Sequence, residues 1–308
     1  MFSERMPDAQ STALPLNFCL EGFRLIRQNP RLIAFWGTVT LFGNGVAILL
    51  AVALAGPSLQ SLGKSISDAQ VQPELLAMLL QSALPGIGVF LVISSVTAAV
   101  IAAAVCRAVM GEGDGQLGFL RFGTQEVRLA MVNLTMTAFS IVIIFACFVI
   151  AGIPAALFRA VPGAMAAFAA LATMAAAGLV FWLRVRLSLN VAQSFATDRL
   201  DVFGSFSLTR GHFRQLAFGI VTAFILAIVV EILCAQVTEA ILTLLFGDIT
   251  PPDLANLTAF LTPANTLNLI LTHFIVSPLI SAILYGAPVA AYSRLTGKTD
   301  QLQVDGIF

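Results

Sequence analysis

The chain has 308 residues, of which 58% are hydrophobic and only 10% charged, with a formal net charge of zero. A soluble globular domain carries roughly a quarter charged residues, so this balance, with a mean hydropathy of +0.94, excludes that class. Sixteen basic residues spread along the chain are too few for a nucleic-acid face, and two histidines leave no cysteine–histidine metal set.

The first basic, aromatic stretch is FRLIRQNPRLIAF, residues 23–35, in which Asn29 and Pro30 are placed to start a helix. The apolar block 32–55 follows, and it is the first of six such segments. The others are 87–110, 129–153, 164–187, 216–245 and 267–292. About 20 helical residues cross a bilayer core of ~30 Å, so each is long enough to span. The AVALAG run at 51–56 offers a small-x-small pattern, but the apolar block before it is too long for a signal peptide, and we read an uncleaved span. Cys19, Cys106, Cys147 and Cys234 form no CxxC pair and read as small packing residues.

Fourteen of the sixteen basic residues fall on alternate connections. They are Arg5, Arg24, Arg27 and Arg31 before span one, and Arg107, Arg121 and Arg128 between spans two and three. Arg184, Arg186, Arg199, Arg210 and Arg214 lie between spans four and five, and Arg294 and Lys298 follow span six. The remaining connections hold only Lys64 and Arg159. The positive-inside rule then places both termini in the cytoplasm.

On the other side, residues 74–84 (ELLAMLLQSAL) predict a short amphipathic helix on the membrane surface, and the prolines of 246–266 predict mostly loop. Asn44 in span one, and Asn133, Thr135 and Thr137 in span three, are expected to bond between helices, and the Ala-rich span four to pack closely. Pro278, Gly286 and Pro288 interrupt span six, as a kink or as the wall of a site.

Before span five, Asp201 is placed to cap a short helix over 202–210, with Gly211 after its end. The segment FSLTRGHFRQLAF (206–218) aligns with FRLIRQNPRLIAF, sharing Phe, Leu, Arg, Arg, Ala and Phe, and FLRFGTQEVRLAM (119–131) is a looser copy. The predicted architecture is therefore an all-α, polytopic membrane helical bundle of six transmembrane helices. Cytoplasmic interfacial amphipathic helices accompany it, in three parallel repeats of two spans each.

Two residue sets are candidates for function. Arg27, Arg31, Arg128, Arg210 and Arg214 stand where spans begin, either orienting the chain or binding lipid headgroup phosphate beside free helix N–H groups. Glu231, Glu239 and His273 fall within apolar segments, where an ionisable group is expensive. Glu239 and His273 are expected at similar depth, as a proton or cation path, unless span five ends early and leaves the glutamates at the interface. No Walker A, HExxH, GxSxG or GxGxxG motif is present, so we expect no catalytic residue, metal or cofactor.

The run from Arg184 to Ala217, with Ser205, Leu208, Thr209 and Gly211, resembles the bacterial membrane domain attached to some glycerophosphodiester phosphodiesterases, and related stand-alone six-span proteins. In the fused proteins the chemistry belongs to a separate soluble barrel bearing a His-Arg-Gly motif, which this chain lacks. The resemblance thus implies a helical scaffold in a bacterial inner membrane and carries over no catalytic residue. The expected role is non-enzymatic: organising membrane lipids, a membrane-protein partner or further copies of itself. The alternative is transport of a small solute or lipid through Glu231, Glu239 and His273.

Overall fold

The computed structural model describes residues 16–67, 73–111, 117–158, 161, 163–200, 204–209, 212–247, 252–254 and 256–297. Among them there is no strand, and six helical segments are long and apolar enough to cross a membrane. The chain is an all-α polytopic bundle. A 3₁₀ turn, Leu16–Leu20, leads into α1 (Glu21–Gln28), α2 (Arg31–Ser67) and α3 (Pro73–Met110). Next come α4 (Thr124–Leu157), α5 (Ala164–Arg186), α6 (Asn190–Ala196) and α7 (Ser205–Leu208). The last part comprises α8 (Phe213–Phe246), α9 (Leu257–Phe260), α10 (Pro263–Leu271), a π-helical turn at Thr272–Val276, and α11 (Ser277–Leu295).

The helices α2 and α3 are longer than the spans the sequence predicts. With 37 residues, α2 measures about 56 Å at 1.5 Å per residue, well beyond a ~30 Å core. It bends at Ala55, whose φ of −144° is not helical, two residues before Pro57, which has no N–H to continue the ladder. The expected surface helix at 74–84 is instead the first part of α3, which runs through Pro85 unbroken. Packing against α2 supplies the reason: a Cβ on Gly86 would meet Ala51 O at 2.8 Å and Ala55 Cβ at 2.7 Å, so the two backbones lie in contact there.

Ten of the nineteen residues of α11 are buried, which makes it the central post of the bundle. It packs against α1, α3 and α8. The contact with α1 is made by glycines from both sides. A Cβ on Gly22 would lie 2.3 Å from Ala282 O, and one on Gly286 would lie 2.8 Å from Gly22 N. The Phe18 ring, fully buried, fills the space over Gly219 of α8. Helix α1 buries Gly22 and Leu25 against this post and exposes Arg24 and Arg27.

The break in span six is the π turn, and its position follows from Pro278. A proline cannot donate to the carbonyl four residues back and its ring crowds that oxygen, here that of Phe274. The turn widens, and α2 covers it. The Thr40 hydroxyl donates to the His273 carbonyl oxygen, and a Cβ on Gly37 would meet Phe274 O at 2.1 Å.

The three expected repeats differ in their lead-in segments. The first has α1, and the third has the single turn α7 among its described residues. In the middle copy residues 117–123 are not helical, and Phe119 sits at φ +61°. The 201–203 stretch, Arg210 and Gly211 lie outside the described residues.

Candidate functional site

A cavity of about 640 Å³ lies between α4, α5, α8 and α11, closed at one end by residues 187–192. Its walls are apolar, including Met136, Val180, Phe181, Val185, Ile220, Ala223, Phe224 and Leu284. The polar lining is Asn133, Arg184, Ser188, Asn190 and Tyr285. The cavity exists because α5 packs on α4 but meets α8 at few points. Phe181 and Phe224 of the lining are 44% and 54% exposed, so part of the cavity wall lies at the surface of the bundle.

Two donors in this lining lack a full hydrogen bond. Asn190 is 3% exposed, yet its Nδ2 has no hydrogen-bond partner among the described residues, and the buried Nδ2 of Asn133 has only the Tyr285 phenol beside it, short of full hydrogen-bond geometry. An unsatisfied buried donor costs roughly 1–3 kcal/mol, and helices seldom keep one beside a cavity without a use. The Tyr285 phenol stands beside Asn133 and Arg184. Arg184 reaches only Ser140 Oγ, at 3.4 Å, and makes no ion pair among the described residues. Ser188 gives its hydroxyl to the Val185 carbonyl at 2.9 Å. Pro288, in the wall, has no N–H for the Leu284 carbonyl.

The end of α5 is held by α7 together with Thr209 and Phe213. The fully buried hydroxyls of Ser205 and Thr209 reach the Arg186 carbonyl oxygen at 3.3 and 3.5 Å. The Arg186 guanidinium lies over the rings of Phe213 and Phe206, 5.0 and 5.9 Å from their centroids, and Trp182 meets Phe206 edge-on. This segment therefore clasps the C-terminal end of α5 where the chain turns to form the closed end of the cavity.

A second polar cluster ties the same end of the bundle. Arg107 of α3 and Glu126 of α4 form a buried ion pair. Arg107 also donates to Phe119 O at 2.9 Å and to Gln125 Oε1 at 3.1 Å, and lies 5.6 Å from the Phe195 ring centroid. Trp36 Nε1 donates to Gly118 O at 2.8 Å, so the irregular 117–123 segment is pinned from two sides. Arg128 Nη1 pairs with Asp198 Oδ1 at 2.8 Å, and Gln125 Nε2 donates to the same oxygen at 3.3 Å. The Arg128 hydrogen bond, and then that of Gln125, holds the Asp198 carboxyl below the usual aspartate range.

The arginines expected at headgroups divide accordingly. Arg27, Arg31 and Arg214 are exposed, Arg128 is ion-paired, and Arg210 lies outside the described residues. None of the four described ones lines the cavity.

The other expected set does not assemble. Glu231 and Glu239 are both exposed on α8. Helix α8 faces the sixth span through Cys234, Val237, Thr238 and Ile241, whereas Glu239 shares a shallow strip with Gln236 and Thr243. His273 lines a separate cavity of about 130 Å³ with Ile48, Asn265, Asn268 and Thr272, and no residue of α8. Thr135 and Thr137 bond back to Met131 O and Asn133 O of their own helix, not across helices.

Sequence reading placed Asn133 among interhelical bonding groups and Arg184 among orienting cations, and missed Asn190, Ser188 and Tyr285. The signal available was local. Arg184, Arg186, Ser188 and Asn190 alternate through RVRLSLN at the end of an apolar block, too polar for lipid and too apolar for a surface loop. No family model, curated protein or solved structure matches the chain.

Proposed function

We propose that the chain is a non-enzymatic integral protein of a bacterial inner membrane, with both termini cytoplasmic, that takes a lipid or similar amphiphile from the bilayer into the cavity between α4, α5, α8 and α11. The observation that carries this reading is the cavity itself: about 640 Å³, apolar along its walls, with the Asn190 amide in its lining unpartnered among the described residues. Ligand pockets of ~300–1,000 Å³ with apolar walls and a few polar groups are the usual form of a small-molecule site. The wall at Phe181 and Phe224 lies at the surface of the bundle, where acyl chains would surround it.

The lining supports binding without catalysis. Among the described residues its one serine, Ser188, is bonded to its own turn, and no histidine or carboxylate lines the cavity to activate it. Binding is also favoured over ion-coupled transport, because Glu231 and Glu239 sit on an exposed face away from the His273 cavity. The cytoplasmic placement of the arginine-rich end rests on the charge distribution along the chain.

The test is purification from native membranes in a mild detergent, with mass spectrometry of the lipid that comes along. Wild type should retain a lipid in fixed proportion, and Ile220→Trp or Leu284→Trp, which fill the cavity from two helices, should each lose it at unchanged Tm. Retention that ignores both fillings removes the cavity from the account.

A further inference from the structure

We infer that the cavity's ligand is an anionic amphiphile: a phosphate or carboxylate head held by Arg184 and Asn190, on an apolar tail that enters sideways between α5 and α8. The inference rests on the reading of the cavity as a lipid site and deepens it by assigning the charge of the head.

The polar end offers donors in excess. Arg184 is a permanent cation with five N–H groups, and its one hydrogen bond among the described residues is the 3.4 Å contact to Ser140. The Asn190 Nδ2 needs an acceptor and is too buried to find bulk water, and the Asn133 amide has only the Tyr285 phenol beside it. Among the described residues no aspartate or glutamate lines the cavity, so no described lining residue answers the guanidinium charge or would receive an ammonium head. An oxyanion bound there would neutralise Arg184 and accept from the Asn190 amide. Charge-assisted hydrogen bonds of this kind are about twice as strong as neutral ones.

The tail follows from the other wall. Val180 and Phe181 of α5 and Ile220 and Phe224 of α8 supply apolar surface on both sides of the gap. Arg184 stands one helical turn from Val180 and Phe181 along α5, so head and tail sites share one helix. A chain longer than the cavity leaves between Phe181 and Phe224 into the bilayer.

The full-length protein in a neutral detergent is titrated with dodecyl phosphate, dodecanoate, dodecanol and inorganic phosphate, and Kd is measured by calorimetry. We expect saturable binding of dodecyl phosphate or dodecanoate at one per chain, and about tenfold to a hundredfold weaker binding of dodecanol. Arg184→Gln should weaken the anionic ligands by a similar factor and leave dodecanol unchanged. Arg184→Lys should restore part of the loss, and Asn190→Leu should weaken the same ligands. Arg184 is exposed, so its replacement is expected to leave Tm unchanged.

Several results overturn the inference, and they separate. Equal affinity for dodecanol and dodecyl phosphate, insensitive to Arg184→Gln, removes the anionic head and leaves the lipid cavity standing. Binding of inorganic phosphate as tight as dodecyl phosphate removes the tail and makes the ligand a free anion. No saturable binding of any probe, with native lipid retained in the Ile220→Trp and Leu284→Trp variants, removes the cavity reading and the inference together.

Discussion

Arg107 and Glu126 form an ion pair with their side chains only 5% and 6% exposed, joining the end of α3 to the first turn of α4. Breaking a buried pair by removing one partner leaves an uncompensated charge and costs about 3–5 kcal/mol. Glu126→Ala should therefore lower the detergent Tm steeply. The joint change Arg107→Met with Glu126→Leu should cost less than Glu126→Ala alone, since it buries no charge. For comparison, Arg24 pairs with Glu21 but its side chain is 64% exposed, and Arg24→Ala should fall within about 0.5 kcal/mol of wild type. Equal effects of Arg24→Ala and Glu126→Ala would contradict the burial of the pair.

Glycines separate by what stands over them. A Cβ on Gly22 or Gly37 would lie 2.3 or 2.1 Å from a backbone oxygen of the sixth span, which cannot swing aside. Gly22→Ala and Gly37→Ala should each lose about 1–3 kcal/mol, the usual range for overpacking. Gly152 of α4 and Gly178 of α5 have nothing within 4 Å. Alanine there should be neutral or stabilising by up to ~1 kcal/mol through helix propensity. Thermal unfolding of the four single variants decides it, and a uniform response would refute the close approach of α1 and α2 to the sixth span.

The sequence read the spans well and the cavity poorly, for one physical reason. Crossing helices announce themselves by apolar blocks of about 20 residues, so the six were legible, with α4, α5 and α8 starting within a few residues of where they were expected. Their extension was not, because α2 and α3 continue past Pro57 and Pro85 by packing on each other, as Gly86 against Ala51 shows. The cavity is assembled from Asn133, Arg184, Asn190 and Tyr285 on four different elements, a convergence that no single stretch encodes. Glu231 drew attention as an ionisable group in an apolar run, yet it is exposed, and hydropathy alone cannot tell which face of α8 it occupies. The same limit hid Arg107, counted among orienting cations and in fact 4% exposed and paired.

Asp198 supplies a pH dependence with a defined sign. Its carboxyl is held below its ordinary value by the hydrogen bond from Arg128 and, after it, that from Gln125. A depressed folded pKa gives stability that is present above the unfolded value of about 3.9 and is lost as pH falls through the lower folded value. Asp198→Asn keeps the side-chain shape, and asparagine tolerates the left-handed backbone there, φ +54°. Above pH 5 wild type should melt at a higher temperature than Asp198→Asn by a constant offset, and the two curves should converge as pH drops below 4. An offset that persists unchanged at pH 3 would mean the carboxylate charge plays no part.

Ser205 and Thr209 connect the α7 segment to the turn that lines the cavity. Both hydroxyls come within reach of one acceptor, the Arg186 carbonyl at the end of α5, at 3.3 and 3.5 Å, and the Thr209 hydroxyl also lies 3.3 Å from Phe206 O. These are long bonds, so each contributes at the low end of the usual 0.5–1.5 kcal/mol. Ser205→Ala with Thr209→Val keeps the packing volume nearly constant and removes both donors. The double variant should lose about 1 kcal/mol in total, by a small drop in Tm. It should also retain less native lipid, because the chain from Arg186 to Asn190 forms the closed end of the cavity and Asn190 supplies one of its donors. Lipid retention separates the two roles. Lower Tm with undiminished lipid would confine Ser205 and Thr209 to holding the helix end, while loss of both ties the segment to what the cavity binds.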